Sequence, residues 1–424
     1  MFYGWWIVIL ILFANVFSGA TIWYGFTAFF NPLVNEFGWS YAAISLAASL
    51  RGVEIGLFDV FAGFLVDRFG GRRIVFAGSM LVGIGYLMLS QVNSLTTFYI
   101  AYIIVFCGAT GLGMVVLGSI VNRWFSRRIG LVLGIISAGY GAGGLAVPGI
   151  VYLLDLVGLR MVFIIIGISA FIIGAFLTFF LRSRPEDIGY GPDGILLDTI
   201  KSDSDRLIAP ERRPASPARH YTLKEAMSDR PFWIIIYVSA MVVFALQMVI
   251  THVMPYLEHI GYYRYTASIV AMMIPVMSIF GRLGIGWVSD LINRKALLIL
   301  ALVAQIAAMV LFFYARVSFF LTPFVILFGI SIGGQAVLRI AFLRDYYGTT
   351  YIGSITGLCY GLLNIGGIFG PLLAGWLFDT TSSYSLAWII GGISLISCVP
   401  LILIMKNPPT TEAKVDFSMP ALSA

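Results

Sequence analysis

The chain has 424 residues, of which 60% are hydrophobic and only 11% charged. A soluble domain carries about 25% charged residues, so a water-soluble globular enzyme is excluded. The net charge of +6 comes mainly from basic residues in the connections between apolar blocks, a membrane-topology pattern and not a nucleic-acid footprint.

A helix needs roughly 20 apolar residues to cross a hydrocarbon core, and blocks of that size recur along the whole chain. Twelve spans are predicted, at 5–31, 41–66, 74–92, 96–122, 129–154, 160–182, 231–257, 265–289, 296–314, 318–343, 352–378 and 384–405. The first block starts without a basic region or a small-residue cleavage site, so no cleavable leader is expected. These spans divide the chain into a six-helix bundle at 1–182, a linker at 183–230, a second six-helix bundle at 231–405 and a tail at 406–424. The linker is rich in Pro, Ser, Asp and Arg and reads as a flexible connection. Near its end Thr222 and Glu225 form a capping box before a short helix, whose basic face suits the inner leaflet. Twenty basic residues fall in the linker, the tail and loops on the side of the termini, against three in the opposite loops, Arg160, Arg264 and Arg316. This positive-inside bias predicts cytoplasmic N- and C-termini in a plasma (inner) membrane. Cys107, Cys359 and Cys398 lie in apolar blocks without metal-ligand or disulfide spacing. No cofactor or metal motif is present.

One offset of 223 residues maps the first half onto the second. It carries Pro32 to Pro255, Gly38 to Gly261, Gly63 to Gly286, Asp67 to Asp290, Arg72 to Lys295, Gly111 to Gly334, Gly134 to Gly357 and Pro148 to Pro371. Two similarly oriented halves imply a pseudo-two-fold axis along the membrane normal, with a site between the halves near the midplane. The run Gly139-Tyr-Gly-Ala-Gly-Gly144 and its partner 361–370 lack the Lys-Ser/Thr of a phosphate loop. Small residues there let the fifth and eleventh spans pack closely and slide.

The loop Gly63-Phe-Leu-Val-Asp67-Arg68-Phe-Gly70-Gly-Arg72-Arg73 resembles the signature of the major facilitator superfamily. Gly286-Trp-Val-Ser-Asp290-Leu-Ile-Asn-Arg294-Lys295 resembles its weaker copy. The resemblance implies an all-α integral membrane protein of twelve transmembrane helices in two six-helix pseudo-symmetric bundles, usually a monomer. It also implies a charged cytoplasmic gate built from Asp67, Arg68, Arg72, Arg73, Asp290, Arg294 and Lys295, locking one arrangement of the halves. Phe2-Tyr-Gly-Trp-Trp6, Asn122-Arg-Trp-Phe125, Arg184-Pro-Glu-Asp187, His252-Val-Met-Pro-Tyr256 and Gly281-Arg282 are similar to the monocarboxylate and oxalate/formate porter branch.

Ionisable groups inside spans are costly and mark pathways or partners. Arg282 lies eight residues before Asp290, roughly 12 Å from the boundary, and its fork of donors matches a carboxylate. In the resembled branch the arginine of the eighth span binds the substrate carboxylate, and Arg282 is the matching residue. Asp59 falls on Arg282 under the 223-residue offset. It either pairs with Arg282 in the empty carrier or takes up a proton when an anion displaces it. The branch's own acid lies just before the arginine, where this chain has Ser278. Arg51 and Glu54 share a face three residues apart, and either neutralise each other or gate. Arg339 lies six residues before Asp345, within snorkelling reach of the aqueous side, as a structural or gate residue. His252 stands in a proton path or packs through hydrogen bonds. Tyr360 and Asn364 on the eleventh span, Tyr140 on the fifth and Tyr24 on the first are candidates to orient an anion held by Arg282.

Together these features describe a secondary transporter moving a small organic anion by alternating access, a monocarboxylate with a proton or one anion against another. Dicarboxylate exchangers of the branch often carry a second cation on the eleventh span. This chain has none there, which favours a single carboxylate unless Arg339 or Arg51 serves instead. An efflux pump for amphipathic compounds would suit a net-acidic site, and Arg282 argues against it. An integral membrane enzyme would need a nucleophile–base or metal cluster, which three scattered histidines do not form. A receptor without flux would share the fold.

Overall fold

A computed structural model describes residues 3–125, 129–182, 185, 190–194, 221–289, 291–348 and 352–405. Within the helices, the side chains of residues 53–57, 59–61, 63, 67, 129–130 and 352–353 lie outside the described set. A chain in lipid must satisfy its backbone internally, and the described residues fold accordingly into long helices. The first span, α1 (Tyr3–Phe37), contains a π-helical turn at Gly19–Trp23. It is followed by α2 (Tyr41–Phe69), α3 (Gly71–Ser90) and α4 (Leu95–Trp124). Helices α5 (129–157) and α6 (159–180) run on without a loop, divided only by Gly158, whose φ of 80° and ψ of 170° break the helix. The second half holds α7 (Arg230–His259), α8 (Arg264–Val288), α9 (Arg294–Phe313), α10 (Ser318–Tyr347), α11 (Ile352–Thr381) and α12 (Ser385–Ile404). Ten stretches are long and apolar enough to cross a membrane. Dividing one of them at Gly158 and adding the charged α2 gives the predicted twelve spans. In the linker, the Thr222–Glu225 capping box heads a helix at Leu223–Met227, as the sequence indicates.

The repeat is visible in the backbone. Gly38 and Gly261 both end a helix with positive φ, at 66° and 101°, a conformation that costs little only for glycine. The glycine-rich helices also pack equivalently, not on each other as sliding partners. In α5, Gly139 and Gly143 meet α1, while Gly141 and Gly144 meet α8. In α11, Gly366 and Gly370 meet α7, and Gly375 meets α2. Each of these helices thus cements its own bundle on one side and touches the other bundle on the opposite side.

The two halves are joined by α2 against α11 and by α5 against α8. The hydrogen bonds between them cluster on the face away from the termini. At the free N-terminus of α2, the amides of Tyr41 and Ala42 donate to the Asp379 carboxylate at 2.9 and 2.7 Å, where the helix dipole favours a negative charge. The pseudo-equivalent corner pairs Arg264, at the start of α8, with Asp155 of α5 at 2.7 Å. Asn31 of α1 donates to Glu258 of α7 at 2.8 Å. Among the described residues, no hydrogen bond joins the halves on the terminal side of Arg282. The described hydrogen bonds therefore hold the halves together at the face opposite the termini.

Two outcomes follow from this packing. A Cβ on Gly143 would stand 2.5 Å from the Ala20 nitrogen and 2.6 Å from the Gly19 Cα, backbone that cannot yield. Gly143→Leu should destabilise by at least about 1–3 kcal/mol, read as a lower thermal unfolding temperature of purified protein. Gly149→Leu, where a Cβ meets nothing within 4 Å, should stay near the natural value. Cysteines at 31 and 258, in a protein with its three native cysteines replaced, should be joined by a short bifunctional thiol reagent. Absence of cross-linking under all substrate conditions would contradict the closed seam.

Candidate functional site

The site is assembled around the π-helical turn of α1. Gly19 lies against the Tyr140 carbonyl of α5, where a Cβ would collide, and this close approach locks the turn in place. A π turn frees carbonyls from the regular helical ladder and is common at functional sites. Here the Ile22 and Trp23 carbonyls accept bonds from Arg51 of α2 at 3.2 and 3.3 Å. The Arg51 guanidinium also lies 4.4 Å over the Trp23 ring, and the residue is only 4% exposed. Trp23 packs edge-on against Tyr140, with 6.1 Å between centroids. The Tyr140 hydroxyl donates to the Leu112 carbonyl at 3.1 Å, where α4 is interrupted.

From the other half, Arg282 of α8 reaches this wall. Its terminal nitrogen donates to the Ser137 carbonyl at 3.3 Å and to the Ser137 hydroxyl at 3.2 Å. Its Nε is buried without an acceptor. Among the described residues Arg282 meets no carboxylate, only neutral oxygens. Tyr24 directly follows Trp23 at the end of the π turn. Tyr24, Arg51, Tyr140, Ser137 and Arg282 therefore line one region where the halves meet. A cation held by neutral acceptors retains its attraction for an anion, and in a low-dielectric setting that attraction is strong.

The other candidates are placed elsewhere. His252 is fully buried in the closed seam. Its Nε2 donates to the Pro371 carbonyl at 3.0 Å and lies 3.1 Å from the Ser45 hydroxyl, which is itself spent on the Tyr41 carbonyl. Nδ1 is left to accept from the Tyr384 hydroxyl at 3.0 Å. The ring ties α7 to α2, α11 and α12, on the packing side of the two alternatives open from sequence. Asn364 spends its amide on the Tyr360 carbonyl at 2.8 Å, so the two do share a face of α11. Tyr360, however, lies under Arg339 of α10, at 5.2 Å, and not beside Arg282. Asp345, toward the helix end beyond Arg339, is bound by Arg294 at 2.6 and 2.7 Å.

The described bonds of three gate candidates, Arg72, Arg294 and Lys295, lie inside their own halves. Arg72 donates to the Thr178 carbonyl at 2.6 Å, and Lys295 to the carbonyls of Leu403 and Met405 at 3.0 and 2.6 Å. Arg68 is exposed beside the Phe69 ring, and Arg73 is exposed. Asp290 and the side chains of Glu54, Asp59 and Asp67 lie outside the described residues. Sequence reasoning missed Ser137, although the 223-residue offset places it on Tyr360 and it lies one helical turn before Tyr140. It also missed Asp379 and Asp155, whose partners are a helix terminus and a residue of the other half, neither of which leaves a sequence pattern.

Comparison with known proteins agrees with this architecture. A family model described as Major Facilitator Superfamily matches residues 11–358 and 276–422. The chain is 25% identical over 436 residues to monocarboxylate transporter 12 of Xenopus laevis, covering 97% of this chain and 92% of the relative. It is 25% identical over 399 residues to the oxalate:formate antiporter of Oxalobacter formigenes, covering 92% and 88%. Among solved structures, a bacterial homolog of the human lysosomal transporter Spinster, inward-facing and unoccupied, superposes with a TM-score of 0.68. That match has 17% identity and covers 95% of both chains. With twelve helices in two bundles and a family match over nearly its whole length, the chain belongs to the Major Facilitator Superfamily as a multi-pass membrane transporter.

Proposed function

We propose that the protein is a secondary transporter of small organic anions, a monocarboxylate above all, and that Arg282 holds the substrate carboxylate between the halves. The observation that carries this reading is the Arg282 guanidinium at the meeting of the bundles, bonded only to Ser137 oxygens and leaving Nε without an acceptor. An arriving carboxylate supplies the counter-charge that Ser137 lacks. Arg51 and Tyr24 add a cation and a hydroxyl on the facing wall, so the site discriminates against cationic substrates. The twenty-to-three excess of basic residues supports cytoplasmic termini, which puts the hydrogen-bonded seam on the outer face and the placement in a plasma (inner) membrane.

Proton coupling is assigned to Asp59, the repeat counterpart of Arg282 on α2. A carboxylate buried near a cation favours ionisation while the cation is free, and protonation once a substrate anion neutralises it. Binding of the anion and uptake of a proton then become one event, and the loaded site carries no additional net charge across the membrane. Exchange of one anion for another is the second reading. It is favoured by the near-complete coverage of the oxalate:formate antiporter match and requires no titrating group.

Uptake of labelled lactate, pyruvate, formate and oxalate into proteoliposomes, with and without a pH gradient, separates these cases. Arg282→Ala should reduce transport of the preferred anion about 100-fold, as expected for removing a charged hydrogen bond worth about 1.5–3 kcal/mol. Retention of full carboxylate flux would remove the anchor assignment. Asp59→Asn should abolish accumulation driven by the pH gradient while sparing counterflow of anion against anion. Undiminished gradient-driven accumulation would assign the proton to another group.

A further inference from the structure

The charge on α10 has no use in the site just described. Arg339 meets no carboxylate among the described residues, and the nearest acid along its own helix, Asp345, is held through both oxygens by Arg294. Its Nε is buried without an acceptor. The guanidinium carbon stands 5.2 Å over the ring of Tyr360, and Tyr360 is 39% exposed. A cation over an aromatic face engages the ring through its own face. A ring supplies no carboxylate oxygen to the guanidinium's fork of donors, so this contact leaves the Arg339 charge open to an anion.

We infer that Arg339, supported by Tyr360, forms a second anion station on the terminal side of Arg282, receiving the substrate carboxylate on its way between Arg282 and the terminal face. Helices α8 and α10 are in close contact there. A Cβ on Gly333 would stand 2.9 Å from the backbone nitrogen of Arg282, and Arg339 follows Gly333 by six residues, roughly 9 Å of helix toward the termini. The repeat gives the two stations a common logic. Ser137, the acceptor of Arg282, and Tyr360, the platform of Arg339, occupy equivalent positions under the 223-residue offset. The same place on α5 and α11 thus orients one arginine each, at successive depths. An anion leaving Arg282 would otherwise return from a cationic site to water in one step. A second uncompensated cation within one solute length divides that step and speeds release, at the cost of tighter holding near the mouth.

This inference rests on the carboxylate reading of Arg282, and the test keeps the two apart. Purified protein in lipid nanodiscs is treated with phenylglyoxal, which modifies accessible guanidiniums, with and without pyruvate, formate or oxalate. The rate at each arginine is read by peptide mass spectrometry. In the natural protein both Arg282 and Arg339 should be protected by the same anion. In Arg282→Ala, Arg339 should still be protected, modified about tenfold more slowly at ten times the half-protecting concentration. Protection of Arg282 alone overturns the second station and leaves the first. Protection of neither arginine by any of the three anions overturns both. In proteoliposomes Arg339→Gln should slow pyruvate, formate or oxalate exchange about tenfold, with Arg339→Lys restoring part of the rate. If Arg339 is protected yet Arg339→Gln exchanges at the natural rate, the anion site lies off the transport path and the station is refuted.

Discussion

A guanidinium set between two bundles with, among the described residues, only neutral oxygens to donate to is an expensive object in a membrane protein. Placing an arginine at the middle of a bilayer costs at least about 2.5–3.5 kcal/mol. The Ser137 bonds offset part of this cost but leave the charge itself unanswered. That imbalance gives the fold something to do. Every nearby feature controls who approaches Arg282: the π turn that presents Trp23 and Tyr24, the Arg51 cation bonded to the carbonyls that the turn frees, and the Tyr140 side chain fixed to the interruption in α4. Remove the charge and these become ordinary packing. With the charge in place they form the wall of the anion site proposed for Arg282.

Access to that site depends on which end of the seam is open, and here the closure is electrostatic at both pseudo-equivalent corners. An acid near the end of α11 grips the N-terminus of α2, and an acid of α5 grips the first residue of α8. Between them the buried imidazole of His252 joins α7 to three other helices through neutral hydrogen bonds. Such bonds are individually modest, about 1 kcal/mol net each. A few of them can therefore hold the seam shut without fixing it permanently. The glycine faces of α5 and α11 supply the complementary property, a tight surface inside each bundle with an opposite side shared between bundles. Each half can then move as a unit.

On the terminal side the described bonds stay within each half. Arg294, Arg72 and Lys295 belong to the loops expected to latch the halves together, and their described bonds run to Asp345, Thr178, Leu403 and Met405 of their own halves.

Much of this was legible in the sequence. Apolar block length and loop charge are local consequences of the bilayer as solvent, so the twelve spans, the linker with its Thr222–Glu225 cap and the division into two halves can be read from residue order alone. The 223-residue offset carries the pseudo-symmetry, down to the paired positive-φ glycines at 38 and 261. Arg282 stood out because a charge in an apolar block is costly wherever it points. What only the tertiary structure decided is which groups meet. His252, open from sequence between a proton path and packing, is hydrogen-bonded in the seam; Arg339, expected within reach of the aqueous side, lies over Tyr360; Ser137, unmarked by charge, holds the central arginine. Those outcomes depend on helix rotation and on contacts between different helices, and linear spacing along a helix encodes neither.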